Sequence, residues 1–163
     1  MKVHAAVGVK TNVITAAICT DRDTHDGPML APLMETTAQH FTVEAVAADK
    51  AYSSHKNLEM IEAMGAKALV PFKSNAVGTS ASPTWNRLFH FFHLHRDEFV
   101  AAYHCRSNAE SAFSAMKRKF GDNVRSKTAV AQKNEALLKV LCHNIVCLIH
   151  EMHETGAPVS FAS

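Results

Sequence analysis

VEAVAAD (residues 43–49), SHKNLEMIEAM (54–64) and ALVPF (68–72) follow one another, with Gly65 closing the second stretch. The first is a short apolar run that stops abruptly at Asp49. The second carries Leu58, Ile61 and Met64 at helical spacing, and the third is apolar again. Gly65 supplies the stop that a helix C-terminus favours. Strand, helix and strand in that order predict a βαβ unit with parallel strands. Open α/β sheets bind ligands beyond the C-terminal ends of such strands, so Asp49 is the first candidate site residue.

Upstream, Val3–Val9 and Val13–Thr20 are rich in Val, Ile, Ala and Thr and are parted by Lys10, Thr11 and Asn12. They read as a β-hairpin. Asp26 is placed to cap a short helix starting at Pro28 and running through Leu33 and Met34. Downstream, residues 74–84 are small and polar and read as a loop. From Trp85 the spacing turns helical through Leu88, Phe89 and Phe92, then again over Ser107–Phe120 and over Ala129–His153. The last of these carries Leu137, Leu141, Ile145, Leu148 and Met152 on one face. Residues 1–155 are expected to form one domain and residues 156–163 a frayed tail.

The chain has 163 residues, with 17 Lys and Arg against 15 Asp and Glu. Apolar residues make up 47% and charged residues 20%, which excludes wholesale disorder. No uncharged apolar run approaches the roughly 18 residues that a membrane span needs, and Met1–Thr20 lacks the apolar core of a signal peptide. A cytoplasmic protein without a membrane partner is expected. Cys19, Cys105, Cys142 and Cys147 form no C-x-x-C pair and read as reduced thiols. The charge is uneven: residues 1–82 hold seven basic and eight acidic residues, residues 83–163 ten and seven. From Lys117 to Lys133, both included, there are six basic residues and the single acid Asp122. An anion-binding surface therefore belongs in the second half.

YHCRSNAE (103–110), followed by Lys117, gathers the most chemistry. On one helix, Glu110 and Lys117 would share a face, with Arg106 one turn before Glu110. An acid flanked by cations suits a metal-bound carboxylate beside phosphates. A solvated face with i,i+4 ion pairs would present the same spacing. Tyr52, Phe89, Phe91 and Phe92 read as core. His90, His93 and His95 lie close together, while His143, His150 and His153 share a helix; His150-Glu-Met-His153 is one residue short of the H-E-x-x-H zinc pattern.

Tyr103, Arg106, Glu110 and Lys117 together match Y-x2-R-x3-E-x6-K. This stretch resembles the signature around the catalytic Glu in the DDE transposases of bacterial insertion sequences. Val46-Ala-Ala-Asp49-Lys-Ala-Tyr52 resembles the segment bearing that family's second catalytic Asp. Lys2-Val-His4 resembles its K-x-H strand, Thr24-His25-Asp26 the loop before its first helix, and Val70-Pro-Phe-Lys73 and the basic run from Arg118 to Lys127 also fit. The similarity covers roughly residues 2–153.

The resemblance implies an α/β, RNase H-like (DDE integrase/transposase) core, a mixed sheet with flanking helices. It implies metal-dependent cleavage of DNA phosphodiesters and strand transfer in transposition. Asp49 and Glu110 would bind Mg²⁺ or Mn²⁺ in a two-metal site. Arg106 and Lys117 would contact phosphates, Tyr103 would position the strand, and Arg118, Lys119, Arg125 and Lys127 would be backbone contacts on double-stranded DNA at transposon ends. The family's first catalytic Asp lies on a strand ahead of the K-x-H strand. The expectation is therefore a core with its first strand missing, impaired activity, and pairing as a homodimer or with a complementing transposase fragment. Asp26 is the nearest substitute acid. Two alternatives stay open: a non-catalytic DNA-binding or interaction fragment, and an unrelated metal-dependent hydrolase using Asp49 and the histidines.

Overall fold

The computed structural model describes residues 1–156, so all but Gly156 of the tail expected over 156–163 lies outside the described residues. The chain divides into two compact units. Met1–Arg22 and the residues from Asn108 onward form one, and Asp23–Ser107 form the other.

In the first unit, β1 (Lys2–Val7) and β2 (Ile14–Thr20) make the expected antiparallel hairpin, with His4 opposite Ile18 and a bulge between Ala6 and Val7. Asn12 takes the left-handed turn conformation at φ 56°, one that Asn tolerates. The other elements are α5 (Ser107–Phe120), whose first residue falls in the range of the second unit, and α6 (Ala129–Thr155). Thr128 caps α6 by accepting from Ala131 N at 3.3 Å, and Gly156 ends it at φ 67°, where a Cβ would be strained. Ile14, Met116 and Val140 form the buried centre, with Ala5, Val7, Ala17, Phe113 and Phe120 packed around it. Burying side chains of this size contributes about 1.5–3 kcal/mol each.

One helical expectation shifts here. The face of α6 turned inward carries Ala136, Val140 and His143, while Leu137, Leu141, Ile145 and Leu148 remain exposed. Polar chemistry explains the choice. Asn144 bonds both Ile14 N and Ile14 O at 2.8 Å, and His143 Nε2 lies 3.0 Å from Asn12 O. Those contacts orient the helix toward the hairpin along its small-residue side.

The second unit contains α1 (Leu30–Ala38), β3 (Ala45–Ala47), α2 (His55–Ala63), β4 (Lys67–Leu69), α3 (Pro83–Leu94) and α4 (Arg96–Tyr103). β3 and β4 are parallel, Val46 opposite Ala68, with α2 between them in sequence, as the strand–helix–strand reading predicts. Both strands are three residues long, shorter than the apolar runs. Pro71 cannot donate to a ladder, so β4 ends before it, and Val70 is buried without strand pairing. Leu58, Ile61 and Val70 are the most deeply buried side chains. Ser54 caps α2 by accepting from Asn57 N at 3.3 Å.

Asp26 does not cap a helix with its side chain. The chain enters α1 through a 3₁₀ turn at Gly27–Met29, and Asp26 contributes its backbone carbonyl to Met29 N. Pro32 sits in the first turn of α1, where its missing N–H costs nothing. The polar loop closes at Ser82, which caps α3 and donates to Glu59. Asn86 bonds Ser80 N and Ser80 O at 2.9 Å, and Trp85 Nε1 donates to Val77 O at 2.8 Å, so the loop is tied to the helix that follows. Mixed α/β architecture is thus present, as six α-helices and two two-stranded sheets among the described residues.

Candidate nucleic-acid site around Asp49 and Arg106

β3 ends at Ala47, and Ala48 N still reaches Leu69 O of the β4 strand at 3.2 Å. Asp49 follows in extended conformation, and its Oδ1 accepts from Ala51 N at 3.3 Å. This caps a 3₁₀ turn at Lys50–Tyr52, so Asp49 stands just past the strand end rather than within it. Its other oxygen, Oδ2, faces Arg106 Nη1 at 3.9 Å. Tyr52 ends the turn and is half-buried; burial pushes its hydroxyl above the usual range, and the charges of Asp26 and Asp49 add to the rise.

Arg106 owes its place to an aromatic series. Phe72 packs edge-on to Trp85 at 4.8 Å and lies 5.8 Å from Phe92, Phe92 packs edge-on to Phe99 at 4.9 Å, and Phe99 stacks on Tyr103 at 5.5 Å. Tyr103 ends α4, and its ring lies 5.8 Å from the Arg106 guanidinium carbon. Core packing thus runs through Tyr103 to Arg106 and on to Asp49. The backbone between them departs from the single helix expected. Tyr103 ends one helix, Arg106 lies in a 3₁₀ turn at His104–Arg106, and Glu110 lies in the first turn of the next helix.

Glu110, Lys117, Arg118 and Lys119 are exposed on α5, the acid in its first turn and the three cations in its last. That order complements the helix dipole. Arg125 and Lys127 are exposed in the segment joining α5 to α6. Two residues that sequence reading passed over hold this segment. The Glu135 carboxylate accepts from Arg125 N at 3.0 Å and Ser126 N at 2.9 Å, and Lys139 Nζ donates to Gly121 O and Asn123 O at 3.1 and 2.7 Å. The backbone bond from Arg125, followed by those from Ser126, pulls the Glu135 carboxyl down from 4.5 to about 2. An acid one turn above a basic helix residue was the available signal. Of the matched residues, Asp49, Tyr103 and Arg106 belong to the second unit, and Glu110, Lys117, Arg118, Lys119, Arg125 and Lys127 to the first.

Asp49 and Glu110 offer the hard carboxylate oxygens that Mg²⁺ and Mn²⁺ take. Among the described residues, no three of His, Cys, Asp or Glu gather where they could hold one ion. His4 and His143 are buried and hydrogen-bonded, to Thr20 Oγ1 at 2.9 Å and to Asn12 O at 3.0 Å, while His90, His93 and His95 are exposed beside phenylalanine rings. The four cysteines are free thiols. Among the described residues, no helix is long and apolar enough to cross a membrane.

Known proteins bear on these residues in one way. No curated protein and no solved structure matches the chain. A family model described as the transposase DDE domain matches residues 1–145, a span that holds Asp49, Arg106 and Glu110 together with the hairpin and most of α6. The chain belongs to the transposase DDE domain family.

Proposed function

We propose that this chain is the catalytic part of a DNA transposase, acting on phosphodiesters at transposon ends. Asp49 and Glu110 would hold divalent metal, Mg²⁺ or Mn²⁺. Arg106, Lys117, Arg118, Lys119, Arg125 and Lys127 would bind phosphates, and Tyr103 would position the strand. In a two-ion site, bound metal activates the attacking oxygen and stabilises the leaving one. The residues of this chain contribute the rest: Asp49 is preset by its turn, and Arg106 is aimed by the aromatic series. The observation that carries this reading is the approach of Arg106 to Asp49, which joins the two stretches that match the family.

The fold would be RNase H-like, and a second copy of the chain or a complementing transposase fragment would be its protein partner. A non-catalytic, DNA-binding role is the second reading, favoured by the absence of a three-ligand cluster among the described residues. DNA binding measured with and without Mn²⁺ tests both. Asp49→Asn and Glu110→Gln should each remove the metal-dependent gain in affinity. A chain that binds DNA with no metal-dependent gain supports the second reading instead.

A further inference from the structure

Lys50, Lys73 and Arg96 line one cavity of about 520 Å³ in the second unit, with His93 beside them and Phe89 and Phe92 in its wall. No Asp or Glu lines it. The charge of the surrounding unit makes this unusual. Residues 23–107 hold seven Lys and Arg against nine Asp and Glu, net −2. In this acidic unit, three of the seven cations converge on one acid-free cavity. Arg87 and Arg106 are paired with Glu62 and Asp49, whereas among the described residues no carboxylate pairs with Lys50, Lys73 or Arg96.

The wall holds one of these cations. The Arg96 guanidinium carbon lies 4.4 Å from the centre of the Phe92 ring, an attractive cation–π distance. Phe72 packs against Phe89 and Phe92 behind it. Gathered round one cavity, these like charges repel one another. An anion entering the cavity relieves that repulsion. The volume falls within the roughly 300–1,000 Å³ of ligand sites, room for a phosphate with its sugar.

Position selects the anion. Lys50 follows Asp49 directly, so their Cα atoms are about 3.8 Å apart. A strand whose phosphates reach Asp49 therefore also comes near Lys50, which lines this cavity. We propose that Lys50, Lys73 and Arg96 bind one backbone phosphate of the DNA strand that runs past Asp49. The inference rests on the DNA reading above and assigns three residues that none of the matched motifs assigns a role.

Binding of the full chain to a labelled duplex, measured across a salt series, tests it. Lys50→Gln/Lys73→Gln should lower the log–log salt slope by about 0.9, the value for one lost phosphate contact. Lys73→Arg should keep the slope of the parent chain. Lys56→Gln/Lys67→Gln, two exposed lysines of the same unit, should also leave it unchanged. An unchanged slope in the Lys50/Lys73 variant overturns the proposal, as does an equal fall in the Lys56/Lys67 variant. Should the double variant misfold by circular dichroism, Lys73→Gln alone serves, and an affinity equal to that of the parent overturns the proposal. Binding of poly-glutamate that depends on Lys73 while duplex binding does not would assign the cavity to an acidic peptide and overturn it too. A parent chain that fails to bind duplex at all brings down the DNA reading itself, which sets that failure apart from the others.

Discussion

Arg106 Nη1 stands 3.9 Å from Asp49 Oδ2, bringing the turn after α4 against the residue that follows the parallel strand β3. Both side chains are partly exposed, at 31% and 51%. An ion pair so open to water contributes at most about 1 kcal/mol. Its geometry is held by neighbours, since Asp49 is fixed by Ala51 N and Arg106 by the Tyr103 ring.

Arg106→Ala should therefore cost less than about 1 kcal/mol in a urea titration, while weakening binding to duplex DNA several-fold. Arg106→Lys should retain part of that affinity. A loss of stability well above this figure, with DNA binding intact, would make the pair structural.

Phe99 should behave in the opposite way. It is 3% exposed and packs between Phe92 and Tyr103. Phe99→Ala removes a buried ring and should cost about 3–5 kcal/mol, measurable as a drop in the urea midpoint. Loss of the ring also frees Tyr103, so DNA affinity should fall with it. A cost below about 1 kcal/mol would show that the aromatic series does not hold Arg106.

Glu135 links acidity to the basic segment. Its folded-state carboxyl, at about 2, lies below the ordinary 4.5, so its contribution is present above the ordinary value and is lost as pH falls through the folded one. Between about 4.5 and 2 the amides of Arg125 and Ser126 should lose their protection from hydrogen exchange. Glu135→Gln should show that loss already at neutral pH. Unchanged protection in this variant would mean that Lys139 alone holds the segment.

α5 separates two kinds of charge. Neutralising Lys117, Arg118 and Lys119 together should weaken binding to any duplex and flatten its salt dependence, by about 0.9 in log–log slope per lost contact. Glu110→Ala should leave metal-free binding undiminished and reduce the gain on adding Mg²⁺ or Mn²⁺. If that gain survives, Glu110 is an ordinary acid at a helix N-terminus.

Periodicity and turn chemistry made much of this architecture legible. Val3–Thr20 read as a hairpin because β-branched runs flank Lys10, Thr11 and Asn12, and α2 was marked by Leu58, Ile61 and Gly65. What escaped depends on tertiary partners. The break between α3 and α4 falls at His95, with φ −115° and ψ 51°, and only Asp97 and Glu98 signalled a new first turn there. The reading of α6 followed its apolar stripe, whereas Asn144 and His143 decide which side meets the hairpin. The cavity of Lys50, Lys73 and Arg96 joins residues from three separate segments, so no spacing announces it. Arg106 and Glu110 were found because they fall within a motif, and Asp49 because it also stands at the end of a strand.

Asn144 also limits how the hairpin can grow. Its amide occupies the outward-facing N–H and C=O of Ile14 just as a neighbouring strand would. An incoming strand in register with the start of β2 must first displace that amide, and an unguarded edge is what templates unwanted pairing. The hairpin is in this sense guarded at the start of β2 by a helix side chain. A strand donated by another polypeptide would have to displace Asn144 to pair with the start of β2, and Asn144→Ala should remove that obstacle.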